Sequence, residues 1–367
     1  MDVEYLKVGC IFSDEYLEFI KEMNRVNKST QIFEVYGSTA ENAFLTARSR
    51  YRLPQYERNS FERYVSAARD IKVEFNYTMN SSYIGSLKEI YDKRKLIKDY
   101  IKYLVDIGVA TITVSLPMVA EFIREVDDKI GIEVSTIAHI DSIAQIQMWR
   151  EKYGITKVCN NVMKNREIDF LCRVSGYCRE QNIILTLIAN EFCSIGSNNA
   201  INCAGGCIYR DHCYSLQSEG YTKDDLMKMN GYPMSICDES RKKTVTWLKS
   251  NFIRPEDMSL YNEIGINHFK ITGRTATIDF MRKVVKAYMR QNWEGNLIEL
   301  WSNISHLSKE VQENQSENTC FILNKSLDGF LDYWFQNRQQ MCAKELCGTT
   351  CTYCNDYYNR NIQHKTD

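Results

Sequence analysis

Eight short runs dense in β-branched and aromatic residues recur along the first 290 or so residues, with amphipathic stretches between them. The runs are YLKVGCIF, QIFEVYG, IKVEFNY, TITVSL, IEVSTIA, ITKVCNN, IILTLIAN and HFKITG. Between or after them come SDEYLEFIKEMNRV, SFERYVSAARD, KRKLIKDYIKYLVDIG, PMVAEFIREVDD, DSIAQIQMWREKYG, REIDFLCRVSGYCREQN and ATIDFMRKVVKAYMR. Apolar residues at three-to-four spacing, as in Ile97, Ile101, Leu104 and Val105, give these stretches one buried face. Strands that alternate with helices pair in parallel, because each crossover returns the chain to the same edge direction. Eight such units predict an α/β fold of the (β/α)8, TIM-like barrel type; an open doubly wound sheet is the alternative. The turns DIGVA, KYGITK and EIGINHF supply the glycine expected at a helix end.

The repeat is interrupted once. About 75 residues separate IILTLIAN from HFKITG, far more than an ordinary βα loop. Long loops of this kind lie at the catalytic face of a barrel. The expected organisation is therefore a barrel over 1–291 with a Cys-rich insertion at 191–250, followed by a small Cys-rich C-terminal extension at 292–367. The extension is too small for a large core of its own and should pack on the barrel.

Composition narrows the class further. Lys and Arg number 46 against 47 Asp and Glu, a formal net charge of -1, which does not suggest bulk attraction to nucleic acid. The KRKLIK patch reads first as a solvated helix face, with phosphate contact as its alternative. No window is long and apolar enough to span a membrane, and the acidic start does not read as a signal peptide. The chain reads as cytoplasmic, which leaves 14 cysteines to be explained, since disulfides are out of place there.

Five of them, Cys10, Cys159, Cys172, Cys178 and Cys320, sit in apolar contexts and read as small buried hydrophobes. Cys193, Cys203, Cys207, Cys213 and Cys237 form a window in the insertion, the first three in a Gly-, Ser- and Asn-rich loop that can turn several thiolates toward one centre. Cys342, Cys347, Cys351 and Cys354 form a second, compact window in the tail. Iron–sulfur clusters use Cys thiolates in this way, and four-thiolate zinc fits the same spacing. Reduced structural thiols are the plain alternative.

Strand ends face the active site of a barrel. Here they offer Tyr36, Gly37 and Ser38; Asn76 and Tyr77; Ser115; Ser135 and Thr136; Asn160 and Asn161; Asn190 and Glu191; and Lys270, Thr272, Gly273 and Arg274. Glu191, just before Cys193, could move a proton beside a cluster, with Asn190 next to it. Lys270 and Arg274 could hold an anionic group, Arg274 by a bidentate pair with a carboxylate. A satisfied polar contact at a strand end is the alternative for each. His212 reads first as a loop histidine bonded to backbone, and Glu256 and Asp257 as helix N-terminal acids after Pro255. No Walker loop, GxSxG elbow or HExxH motif is present.

The segments IRPEDM and GINHFKITGR, with NEFC and CIYRDH before them, resemble the U-thirty-two, or collagenase-like, peptidase family. The likeness extends in pattern over roughly residues 1 to 300 and is specific from about 188 to 297. It implies a TIM-like barrel carrying a 4Fe-4S cluster on Cys ligands. It also implies a range of activities: members include oxygen-independent hydroxylases acting in ubiquinone synthesis and on tRNA and ribosomal RNA, several linked to prephenate as oxygen donor, while proteolysis is the older assignment. By position, Cys193, Cys207 and Cys237 match cluster cysteines, and Cys203 and Cys213 compete for the fourth place. Lys270, Gly273 and Arg274 match the family's Lys-x-x-Gly-Arg strand.

The leading expectation is an iron–sulfur barrel enzyme performing a redox modification, such as oxygen-independent hydroxylation of a small-molecule or RNA substrate. Glu191, Asn190, Lys270 and Arg274 would form its site, and the tail would hold a second iron–sulfur cluster or zinc. The expected partners are an anionic small-molecule substrate or co-substrate and an electron-transfer protein or paired subunit. A peptidase and a non-catalytic iron–sulfur partner subunit are the competing expectations.

Overall fold

A computed structural model of the chain describes residues 3–48, 50–191, 222, 225, 244–274, 276–302, 321–338, 342 and 350–362. All eight expected strands form: β1 (Glu4–Gly9), β2 (Thr30–Gly37), β3 (Glu74–Met79), β4 (Thr111–Val114), β5 (Gly131–Val134), β6 (Lys157–Cys159), β7 (Ile184–Ile188) and β8 (His268–Ile271). Every neighbouring pair is parallel, and β8 pairs with β1, so the sheet closes into a barrel. The barrel expectation is borne out over the open sheet.

The helices between the strands are α1 (Asp14–Val26), α2 (Arg58–Asp70), α3 (Leu87–Asp106), α4 (Pro117–Val126), α5 (Ile143–Tyr153) and α6 (Ile168–Glu180). After β7 come the short α7 (Thr244–Leu248) and α8 (Met258–Glu263), and α9 (Ile278–Arg290) follows β8. Local chemistry sets their ends. Ser86 and Glu89 form a reciprocal capping box that starts α3, and Ser142 with Gln145 does the same for α5. Gly154 ends α5 at φ 57°, a backbone conformation that a side chain disfavours.

Alternation along the strands divides the core in two. Leu6, Val8, Val35, Phe75, Ile112, Val114, Ile132, Val134, Leu187 and Phe269 are buried in the main apolar core. Their neighbours in sequence point the other way, into the barrel, and many of these are polar or charged: Lys7, Glu34, Asn76, Thr113, Glu133, Lys157 and Lys270 are all buried. Lys7 on β1 bonds Glu133 on β5, halfway round the barrel, a contact that can be made only through the interior. A barrel interior is ordinarily filled by branched apolar side chains, so this one is atypical.

The extension shares the main core. Trp301, Ile322, Phe330, Trp334, Tyr357 and Ile362 belong to the same apolar cluster as the barrel; Trp334 is carried by α10 (Asp332–Gln336) and Tyr357 by α11 (Tyr353–Asn361). Arg254 fastens it. Its guanidinium makes paired bonds to Asp257 at 2.9 and 2.7 Å, and reaches the Asn324 carbonyl at 2.8 Å and Asp328 at 2.9 Å.

Candidate functional site

The site is built from the inside outward. At its base lies a lattice of charges. Lys7 Nζ pairs with Glu34 at 2.6 Å and with Glu133, while Lys157 Nζ pairs with Glu34 at 2.5 Å and Glu74 at 2.7 Å. Asn76 donates to Glu34 at 3.0 Å and to Glu133 at 2.6 Å, and Thr113 donates to Glu133 at 2.8 Å. Burial opposes ionisation of Glu133, but the charges of Lys7 and Lys270 outweigh it and hold its carboxyl below the usual range. Burial would likewise discharge Lys7, and the two carboxylates beside it raise its pKa instead. Below the lattice His268 stacks on Tyr5 with ring centroids 4.8 Å apart. Burial, with the nearby Lys157 charge, lowers its pKa to about 4.

Lys270 sits one strand from Lys7, its register partner, and is treated differently. It is 5% exposed, and among the described residues its amine makes no hydrogen bond or ion pair. Nζ instead lies over the Tyr36 ring, 4.2 Å from the centroid. Burial lowers its pKa; Cys159 and Glu133 oppose the shift, and Lys7 and Arg274 reinforce it. Cys159 is fully buried, and burial pushes its thiol up to about 11, against the pull of Lys270. Tyr36 donates to the Ile271 carbonyl at 3.2 Å. Burial raises its phenol to about 12, against the charges of Arg274, Arg48 and Lys7.

Above Lys270 the mouth is lined by hydroxyls and amides. Arg274 donates to Thr78, which bonds Ser38 at 3.2 Å; Asn80 donates to Ser135 at 3.3 Å, and Ser115 to the Asn80 carbonyl at 3.0 Å. Gly9 lets Arg274 come this close, because a Cβ there would lie 2.6 Å from the Arg274 backbone nitrogen. Glu191, half-buried at the end of β7, is near enough for its charge to act on Tyr36. Asn190 plays a different part. Its amide nitrogen donates to the carbonyls of Thr272 at 3.1 Å and Leu300 at 2.9 Å, and its oxygen accepts from the Thr272 N–H at 2.6 Å. It ties β7, the end of β8 and the extension together.

Other strand-end residues are distributed differently from the sequence expectation. Asn76 lies in the charge lattice, and Tyr77 belongs to the outer core, where its hydroxyl meets that of Tyr100 at 2.9 Å. Sequence reasoning missed Lys7, Glu34, Glu133 and Lys157. The available signal was a charge alternating with apolar residues inside a strand, as in YLKV, IFEV and IEV.

Cys193, Cys203, Cys207, Cys213 and Cys237, with His212, lie outside the described residues, as does Cys347. Both flanks of the first window are described, and both are at the mouth. Glu191 lies three residues beyond β7, and on the return the Ile253 N–H bonds the Ala189 carbonyl at 2.9 Å while Asn165 donates to the Asn251 carbonyl at 3.0 Å. In the tail, Cys354 is buried and donates to the Leu248 carbonyl at 3.6 Å, while Cys342 and Cys351 are half-buried. Among the described residues no group of three His, Cys, Asp or Glu could hold a metal ion. Leu248 also accepts from Arg166 at 2.7 Å, a buried guanidinium set among Phe252, Phe330 and Trp334. The sequence reading did not single out Arg166. Glu256 and Asp257 do follow Pro255 at the head of a short helical turn, but Asp257 is paired with Arg254, and Glu256 turns to the extension, where it accepts from the Trp293 N–H and Asn324, both at 2.8 Å. No helix among the described residues is long and apolar enough to cross a membrane.

Comparison with known proteins bears out the family resemblance. A family model for peptidase family U32 matches residues 33–173. That segment runs from β2 into α6, the part that the sequence reading took as alike in pattern only. A relative from Methanocaldococcus jannaschii, named an uncharacterized protease, is 26% identical over 351 residues and covers 94% of each chain. Of solved structures, a U32 peptidase is 16% identical with a TM-score of 0.49, covering 74% of this chain and 92% of that one. A GH113 beta-1,4-mannanase is 9% identical with a TM-score of 0.41, covering 79% and 99%.

Proposed function

From kinship with peptidase family U32 as the premise, we propose that this chain is an iron–sulfur barrel enzyme carrying out a redox modification, such as oxygen-independent hydroxylation of a small-molecule or RNA substrate. The observation that carries the reading is a convergence. The segment bearing Cys193, Cys203, Cys207, Cys213 and Cys237 is flanked at the barrel mouth on both sides, where Lys270, Arg274, Tyr36 and Glu191 also meet. Thiolates are the donor set that such clusters use, and a cluster bound there would supply single electrons. Arg274 and Lys270 would attract an anionic group of substrate or co-substrate, and Glu191 would be the acid or base at the rim. In the tail, Cys342, Cys347, Cys351 and Cys354 would hold a second iron–sulfur cluster or zinc.

The test is anaerobic purification with iron, sulfide and zinc quantified alongside EPR, on the wild type, a Cys193→Ser/Cys207→Ser variant and a Cys347→Ser/Cys351→Ser variant. Iron and sulfide that fall in the first variant support the mouth cluster. Colourless wild-type protein with stoichiometric zinc would sink the redox reading.

Peptidase activity is the second reading, favoured by the name of the archaeal relative and of the family itself. Cleavage of a defined peptide that persists after chelation of iron, and is lost on Glu191→Gln, would promote it over the first.

A further inference from the structure

The barrel holds three inward lysines and treats them unequally. Lys7 and Lys157 are each pinned between two carboxylates. Lys270 faces an aromatic ring, with its amine unbonded among the described residues. Its surroundings come from every side: Lys7 on β1, Tyr36 on β2, Glu133 on β5, Cys159 on β6, Ile188 as register partner on β7, and Arg274 just beyond β8. Lys270 makes no ion pair among the described residues, because Glu34 and Glu133 are already paired directly, Glu34 with Lys7 and Lys157 and Glu133 with Lys7. One more acceptor waits nearby: Glu133 Oε1 is buried with no hydrogen-bond partner among the described residues.

We propose that Lys270 is an imine-forming nucleophile, whose side-chain amine adds to the carbonyl carbon of a carboxylate-bearing aldehyde or ketone, such as a 2-oxo acid, at the barrel mouth. This deepens the reading of the mouth as a substrate site and does not depend on the cluster. An attacking amine must be neutral, and burial beside Lys7 and Arg274 favours that form. In the step, the amine nitrogen forms a C–N bond and the carbonyl oxygen becomes a hydroxyl by taking the nitrogen's proton. Loss of that hydroxyl as water, with the second amine proton, leaves the imine. No oxidant or reductant is required. Glu133 Oε1 can accept a hydrogen bond from the intermediate hydroxyl. When the imine takes up a proton from water, its cation lies over the Tyr36 ring, where the amine now sits. The Arg274 guanidinium supplies the group that recognises a neighbouring carboxylate.

The test is reductive trapping. Full-length protein, purified anaerobically, is treated with glyoxylate and cyanoborohydride, and each lysine is followed by peptide mass mapping. The expected result is carboxymethylation of Lys270 ahead of exposed lysines such as Lys21 and Lys102, by roughly tenfold for each pKa unit separating them. The modification should lose its selectivity in urea and its pH midpoint should lie below that of the surface lysines. Lys270→Met, which leaves no carboxylate without its cation, should fold and lose only this adduct. Labelling of the exposed lysines with Lys270 untouched in the folded protein would overturn the proposal. Iron content, read in the same preparation, reports on the redox reading separately: Lys270 adducts on iron-free protein would uphold this inference while that one fails.

Discussion

At the scale of single residues, the barrel interior is governed by pairing. Lys7 neutralises two carboxylates that have no route to water, so Lys7→Met should destabilise the protein by ~3–5 kcal/mol, the usual cost of leaving buried charges unpaired. Lys270→Met removes a buried amine that makes no ion pair among the described residues and is close in volume, so its cost should stay below ~1.5 kcal/mol. Urea titration of the two variants checks the contrast; equal losses would mean that Lys270 is part of the lattice. His268 adds a pH dependence. Its pKa, lowered to about 4 by burial, lies below that of an unfolded histidine. The unfolded chain therefore binds the proton first, and the stability His268 contributes is whole above about pH 6.5 and is lost as pH falls toward 4. Thermal melts from pH 7 to 4 should show a falling midpoint, and His268→Phe, which cannot charge, should flatten that fall.

Among the elements, close approaches at strand ends position the site. A side chain at Gly9 would press on the Arg274 backbone, so Gly9→Ala should shift the end of β8 at a cost of ~1–3 kcal/mol and weaken any anion held by Arg274. Gly154→Ala tests the opposite case. It forces a side chain into a left-handed turn at the far end of α5, costing ~1–2 kcal/mol, and should leave the mouth unchanged. Reductive trapping at Lys270 in both variants separates the effects: it should fall for Gly9→Ala and hold for Gly154→Ala. The strands themselves were legible because each carries its β-branched run, and the helix ends because their capping residues are local. What each inward residue does was not legible. Tyr77 and Asn76 are adjacent in sequence, yet strand alternation sends one to the outer core and the other into the charge lattice.

For the whole molecule, the extension and barrel share one core, and Arg254 links them through Asp257, Asn324 and Asp328. Arg254→Ala would leave Asp257 buried without its cation, and should lower stability by ~3–5 kcal/mol. Limited proteolysis should then cut first within the extension; cutting that began in the barrel would mean that Arg254 holds the barrel itself. IRPEDM is therefore a fastening of the two parts, a role that its sequence context, which reads as a helix start, does not disclose.

By itself the sequence determined the eightfold alternation, hence the barrel, and which residue types cluster at the strand ends. Those are consequences of local periodicity and of crossover geometry. Only the tertiary structure decided which charges meet inside, because Lys7 and Glu133 lie 126 positions apart and are joined by closure of the sheet. Closure likewise pinned two lysines between carboxylates and left Lys270 over an aromatic ring. That inequality reflects the partners each strand brings opposite, which no local window contains.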